Sequence, residues 1–193
     1  MQLPNKFLKD YRRLLRLVQS GAVFTAIDTE TTGLYPLTCR VIEIGAVQFD
    51  KSGVIAEYNT LVNPQCNIPG PAMNVNHITD DMVAAAPCVE AVLPGFLEFI
   101  GNSILVAHNA QFDLSFINTE LERSRMQSMN NKAVDTLNLS RWAYPSSAHH
   151  GLQFLARAMN IEVKDAHRAS DDARVCMEVF LRCLKDTESV QKK

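Results

Sequence analysis

Residues 22–62 read AVFTAIDTETTGLYPLTCRVIEIGAVQFDKSGVIAEYNTLV, and their patterning decides the fold. Residues 22–28 form a short apolar run broken by a single threonine, the pattern of a buried central strand. Residues 40–50 are β-branched and partly alternating. Lys51-Ser52-Gly53 supplies a turn, and residues 54–62 continue as another strand, so the two read as a hairpin. Three strands in immediate succession pair antiparallel, because no connection between them is long enough for a crossover.

Working outward, Leu8, Tyr11, Leu14, Leu15 and Val18 fall at helical spacing, which predicts a first helix ending at Gly21. Residues 63–71 hold three of the eight prolines and read as irregular. Thr79-Asp80-Asp81 opens a short helix reaching about residue 86. A second covers 89–100, with Pro94 as an interruption. Residues 103–108 (SILVAH) are an apolar strand and 112–125 a helix with Phe112, Phe116, Ile117 and Leu121 on one stripe. A short strand at 133–135 and a helix at 136–144 follow. Leu152, Leu155, Ala156 and Met159 mark another helix ending near Asn160. The last long helix runs over 169–184, with a frayed tail after it. Strands separated by helices add in parallel. The expected organisation is therefore a helical extension (1–20), one α/β domain (21–185) built on a single mixed sheet flanked by helices, and a tail (186–193).

The composition is that of a globular chain: 193 residues, 47% hydrophobic and 21% charged. A chain of this size buries a full core without staples. The five cysteines are odd in number and form no CxxC, which argues against a disulfide framework or a structural zinc site and for buried thiols in a reducing cytosol. No apolar run approaches the ~18 residues of a membrane span. The start is basic and amphipathic, without a secretory pattern, so a cytoplasmic protein is expected. The formal charge is -2 with pI ≈ 6.2, so a uniformly basic nucleic-acid-binding domain is excluded. A polyanion bound here needs local positive charge, which a metal cation supplies.

The chemistry concentrates in carboxylates. Asp28 and Glu30 stand at i and i+2 on the first strand and project to one face. Two carboxylates side by side after an apolar run need a cation, hydrogen bonds or protons. Oxygen donors of this kind suit Mg²⁺ or Mn²⁺. Asp113 falls in the first turn of the helix that follows SILVAH. His167 and Asp172, five apart, would diverge by ~140° on one helix, but they converge if His167 lies in the loop before it. Each of these residues alone has an ordinary structural reading as a cap or a solvated side chain. Together they could hold two divalent cations that clamp an in-line displacement at phosphorus. His167 could then take the proton of the attacking water, because histidine titrates near ~6.5.

The segments FTAIDTETTGL, LVAHNAQFDLSF and HRASDDA resemble, in order and with the H-x4-D spacing, the three motifs of the DEDDh exonucleases of the DnaQ-like family, which includes proofreading subunits of bacterial replicative polymerases. The resemblance spans roughly residues 22–184. It implies a ribonuclease H-like fold, a mixed five-stranded sheet flanked by helices, and 3′-to-5′ release of nucleoside 5′-monophosphates. It also implies Asp28, Glu30, Asp113 and Asp172 as ligands of two divalent cations, Mg²⁺ or Mn²⁺, and His167 as general base. Asp171 has the wrong spacing from His167 and is left out.

The same resemblance implies that Thr31, Thr32 and Gly33 line the terminal nucleotide, that Leu34 wedges against its base, and that Asn109 and Phe112 flank the pocket. The family's Val-His-Gly-Ile stretch reads Val75-Asn76-His77-Ile78 here, which leaves open whether Asn76 or His77 faces the substrate. The expected partner is the 3′ end of single-stranded or frayed DNA, with a DNA polymerase partner left open. Two rivals stand beside this reading: an exoribonuclease of the same superfamily, related to ribonuclease T or oligoribonuclease, and a non-catalytic nucleic-acid-binding or polymerase-docking module. Asp135-Thr136 reads as structural. His149-His150 reads as a solvated loop, and the basic first helix (Lys6, Lys9, Arg12, Arg13, Arg16) as a solvated face.

Overall fold

The computed structural model describes residues 5–191. Its centre is one five-stranded sheet in the order β3-β2-β1-β4-β5, made of β1 (Phe24–Thr31), β2 (Val41–Asp50), β3 (Gly53–Leu61), β4 (Ile104–Ala107) and β5 (Ala133–Asp135). The first three strands pair antiparallel; β4 joins β1 and β5 joins β4 in parallel. This is the mixed sheet expected from three sequential strands followed by helical crossovers.

The strands alternate, so each sheet face carries its own core. Ile27, Ile44, Leu105 and Ala107 pack with α4 (Val89–Ile100) and α5 (Gln111–Arg123). Phe24, Ala26, Val47 and Phe49 pack with α7 (Leu152–Ala158) and the long α8 (Ala169–Gln191). The rings of Phe24, Phe49 and Phe180 meet there with centroids 5.2–5.9 Å apart. The first helix, α1 (Tyr11–Gln19), adds Leu14 to this second core, and α6 (Thr136–Ala143) adds Leu139. Among the described residues no helix is long and apolar enough to cross a membrane.

Four local expectations change. The stretch after β3 is not irregular throughout: a helix, α2 (Gly70–Asn76), starts within it, and α3 (Asp80–Val83) follows. Pro71 sits in the first turn of α2, where a missing N–H costs nothing. Pro94 does not interrupt α4, which runs unbroken through it; the proline is exposed, so the carbonyl it leaves without an intrahelical donor faces water. The last helix does not end at Leu184, where the tail was expected to begin. α8 continues to Gln191, no Gly or Pro stops it, and the Thr187 hydroxyl bonds back to the carbonyls of Cys183 and Leu184. Residues 192–193 lie outside the described residues. The unpaired thiols, expected to be buried, are not all so: Cys176 and Cys183 are buried, Cys39 and Cys88 are half-buried, and Cys66 is exposed.

Candidate active site

β1 runs past its predicted end and carries Asp28, Thr29 and Glu30 inside the strand. Its pleat divides them. Asp28 and Glu30 share the face of Phe24 and Ala26, towards α8, while Thr29 points to the other face. There the Thr29 backbone N–H and hydroxyl both donate to Asp113 Oδ1, at 2.9 and 2.8 Å. Asp113 occupies the first turn of α5, as its place after β4 predicts, and the helix dipole favours a negative charge there. The strand thus fixes two carboxylates itself and a third through the threonine between them.

The fourth carboxylate comes from the start of α8. Gly45, opposite Asp28 in the β1–β2 register, lets this helix lie directly on the sheet: a Cβ at this position would stand 2.2 Å from the Ala169 backbone. Glu43, opposite Glu30 and fully buried, accepts from Arg168 Nη2 at 2.7 Å, from Arg168 Nε at 3.1 Å and from the Ala169 N–H at 3.0 Å. With Arg168 and Ala169 pinned, His167 lies in the loop with φ +63°. Its backbone N–H donates to Asp172 Oδ2 at 3.2 Å, and Gln153 Nε2 donates to Asp172 Oδ1 at 2.8 Å. The convergence of His167 and Asp172 from loop and helix is therefore realised. One donor atom each from Glu30, His167 and Asp172 lies within 4.8 Å of the others.

The electrostatics show what this crowding costs. Burial, then the charges of Asp113, Asp172, Glu30 and Glu43, raise the Asp28 carboxyl well above the usual range. Glu30 is pushed up to about 8 by burial and the charges of Asp172 and Glu43, against the amide of Asn76. Asp113 rises to about 7, because burial outweighs the hydrogen bonds from Thr29. Burial also raises Asp172, opposed by His167 and Gln153. Clustered carboxylates at low dielectric, without an arginine or lysine among them, are a donor set that fits hard divalent cations.

Beside these groups opens a cleft of ≈ 410 Å³, lined by Glu30, Thr31, Thr32, Gly33, Leu34, Ala72, Asn76 and Phe112 among others. Its walls are held from behind. The Thr31 hydroxyl donates to the Gly33 carbonyl at 2.6 Å, and the Thr32 hydroxyl accepts from the Arg40 N–H at 2.9 Å. Leu34 is 73% exposed at the rim. Asn76 is buried in the wall, donating to the Thr31 carbonyl at 3.4 Å and accepting from the Ile78 N–H at 3.1 Å. His77 is exposed and ends α2 with φ +59°, and it is outside the cleft lining, so of this pair Asn76 faces the cleft. Phe112 lines it and packs on Phe116, centroids 4.8 Å apart. Asn109 is exposed at the end of β4 with φ +64° and lies outside the lining.

Asp171 serves the loop: its Oδ2 accepts from the Lys164 and Asp165 N–H groups at 2.7 and 2.9 Å, and its Oδ1 pairs with Arg174. Asp135 caps α6 through the Leu137 N–H, and the Thr136 hydroxyl donates to the Ala107 carbonyl, as the structural reading of that pair requires. Sequence reasoning passed over Thr29, Glu43, Gln153 and Arg168. Gln153 had a signal: a polar side chain within the otherwise apolar turn LQFL.

Fold and site together define a class, a ribonuclease H-like hydrolase whose carboxylates gather at one end of a mixed sheet, beside a cleft of nucleotide dimensions. Comparison with known proteins narrows it. Residues 25–180 match the exonuclease family (RNase_T). The epsilon subunit of DNA polymerase III from Treponema pallidum (strain Nichols) is 46% identical over 165 residues, covering 84% of this chain and 77% of that one. The PolC-type DNA polymerase III of Staphylococcus aureus is 36% identical over 174 residues, which are 90% of this chain and 12% of the polymerase. Among solved structures, exonuclease X in complex with 5′-overhanging duplex DNA superposes with a TM-score of 0.68 at 27% identity, covering 86% of this chain and 93% of that one. The chain belongs to the exonuclease family, as a 3′-5′ exonuclease of the DnaQ type.

Proposed function

We propose that this exonuclease removes nucleotides from DNA 3′ ends in a proofreading or repair role, using two divalent cations, Mg²⁺ or Mn²⁺, held by Asp28, Glu30, Asp113 and Asp172. The observation that carries the reading is the meeting of Glu30, His167 and Asp172, from a strand, a loop and a helix, within 4.8 Å of one another. Bound cations supply Lewis acidity and charge neutralisation at the scissile phosphate. The residues of the chain do the rest.

The cleft takes the terminal nucleotide. Gly33 brings backbone close to it, Leu34 packs against the face of its base, and Phe112 closes the opposite wall. These contacts read shape and stacking, not base edges, so any 3′ nucleotide is accepted. His167 is exposed at the mouth, where its imidazole reaches the attacking water and takes its proton. Asp172 holds the loop through the His167 N–H, so the histidine stays poised while substrate enters. A closed pocket for one nucleotide favours frayed or single-stranded ends, because a paired terminus must first open.

The likeness to a polymerase epsilon subunit supports DNA over RNA as substrate and a DNA polymerase as partner.

The deciding experiment is a gel time course with 5′-labelled single-stranded DNA, the same strand carrying a terminal mismatch on a template, and the matching RNA, each with Mg²⁺ or Mn²⁺ and with EDTA. The expected result is a metal-dependent descending ladder on DNA, faster at the mismatched than at the matched terminus. A ladder chiefly on RNA would overturn the DNA assignment. No ladder with any substrate and metal would overturn the catalytic one.

A further inference from the structure

A second recess, ≈ 440 Å³, opens at the β5 edge of the sheet. Lys9, Tyr11, Gln111, Asp135 and Asn138 are among its walls. Gln111 opens α5 two residues before Asp113, and Asp135 ends β5, so the recess lies at the same end of the sheet as the catalytic carboxylates. Topology explains why Lys9 is there. The N-terminal segment pairs in parallel with β5: Leu8 N–H donates to the Ala133 carbonyl at 2.8 Å, and Ala133 N–H to the Lys6 carbonyl at 3.0 Å. It therefore runs towards the same end of the sheet at which β1 presents Glu30 and Asn109 follows β4. Lys9 emerges at that edge, and α1 turns back from it.

On α1, Arg12, Arg13 and Arg16 fall within an arc of ~100°, opposite the packed face of Tyr11, Leu14 and Val18. All three arginines and Lys9 are exposed. Among the described residues, none of the four side chains takes part in an ion pair. Two of the arginines stand in the first turn, where the helix dipole disfavours cations and no acidic residue compensates them. The neighbouring acids are engaged locally: Asp10 caps α1 through the Arg13 N–H, and Asp135 accepts from the Asn109 and Leu137 N–H groups and from Asn138. In a chain of net charge -2, this is uncompensated positive charge beside the catalytic edge, complementary to a polyanion.

We propose that the recess and the basic stripe of Lys9, Arg12 and Arg13 form a track for the phosphates of the nucleotides 5′ to the one being removed. The cleft grips the terminal nucleotide and the track grips the strand behind it. The inference rests on the reading of the site as a DNA 3′-exonuclease. The chain's single tryptophan, Trp142, stacks on Tyr11 with centroids 5.3 Å apart and is 39% exposed, so it reports on occupancy of this face.

The test is the triple variant Lys9→Gln/Arg12→Gln/Arg13→Gln. It is assayed on the p-nitrophenyl ester of thymidine 5′-monophosphate, which fills only the terminal cleft, and on thymidine oligonucleotides of two, four and eight residues. The expected result is unchanged turnover of the ester and the dinucleotide. The KM for the octanucleotide should rise by at least about tenfold at low salt, and the slope of log KM against log salt should fall by about 2, at ~0.7 per lost charge on a single strand. In the inactive Asp172→Asn background, octanucleotide should quench Trp142 fluorescence, and the triple substitution should remove most of that quenching at the same DNA concentration. An unchanged octanucleotide KM and salt slope, with the ester still cleaved, overturns the track alone. Wild-type protein that cleaves neither ester nor DNA overturns the reading of the site beneath it. Unchanged DNA parameters with lost binding to a DNA polymerase would assign the stripe to a protein partner and also overturn the proposal.

Discussion

Two sets of carboxylates lie buried or half-buried in this protein, and they are treated in opposite ways. Glu43 and Glu120 are each answered by arginine. Glu43 takes both arms of Arg168, and Glu120 accepts from Arg40 at 2.8 Å and Arg123 at 3.1 Å. Among the described residues, neither arginine nor lysine forms an ion pair with Asp28, Glu30, Asp113 or Asp172; the last three receive backbone or neutral side-chain donors, beside the neighbouring His167. A buried carboxylate whose charge is answered by arginine is finished electrostatically, even where, as at Glu120, one oxygen makes no hydrogen bond. A cluster without one is unfinished, and its raised protonation equilibria are the mark of the missing charge. The chain is not short of cations: it has 19 lysines and arginines and places two of the arginines a few residues from this site. What separates the two sets is where the compensating charge comes from, the chain itself or the solution.

The largest effect that tests this contrast is on turnover. Asp172→Asn removes one donor from the unfinished set, and exonuclease activity should disappear in gel and steady-state assays. The metal-free protein should melt at or above the wild-type temperature, since like-charge repulsion has been relieved. A variant that cleaves at a wild-type rate would place Asp172 outside the metal site. Next comes His167→Ala, which should lower the rate by about 10²–10⁴, the reach of general-base catalysis. The loss should come in kcat, because the histidine is outside the nucleotide cleft. A rate that is unaffected from pH 6 to 9 would end its assignment as base.

On the finished set, the readout is stability. Arg168→Leu leaves Glu43 fully buried and without its cation, which should cost about 3–5 kcal/mol in denaturant unfolding. It should also slow turnover, because the loop bearing His167 loses its anchor. Arg168→Lys should recover part of the stability but little of the rate, since lysine cannot reproduce the two-armed contact. Equal loss from both variants in both measurements would mean that the pair serves the fold without positioning the histidine.

The sequence disclosed these two sets unequally. The unfinished carboxylates were legible because they stand at a strand end or helix start in three ordered motifs; each alone has an ordinary reading as a cap or a solvated side chain, and only their combination points to a metal site. The finished ones were not. Glu43 reads as a polar residue in a strand of otherwise alternating character, and nothing in one dimension shows that it faces Arg168, 125 residues away. The pairing sense of the strands followed from connection lengths, while their order in the sheet is read from the structure. Helix ends did not, because they depend on local geometry. α2 was concealed by the prolines around its start, and its end is set by a histidine in the left-handed region. The place of Asn76 in the cleft wall, with His77 turned outside, follows from that same turn.

The smallest effect, and the most direct reading of the unfinished set, is the pH dependence of stability without metal. Glu30 and Asp113 are raised in the folded protein to about 8 and about 7 from ordinary carboxylate values near ~4. Between these limits the native state holds more protons than the unfolded chain. Unfolding free energy must therefore fall as pH rises, from full benefit below ~4 to none above the folded values. Asp171 runs the other way: although burial pushes it up, the Asp165 N–H, Arg174 and the Lys164 N–H hold its carboxyl low, so its contribution is lost only as pH falls below the ordinary range. In EDTA, thermal melts should thus decline by several degrees from pH 5 to pH 8. Divalent cation in place of EDTA should flatten the decline, because the bound charge takes over from the protons. In Asp172→Asn the EDTA decline should be shallower than in wild type. A melting temperature in EDTA that holds level or rises across this range would show that these carboxylates are compensated from within the chain, and the division between the two sets would collapse.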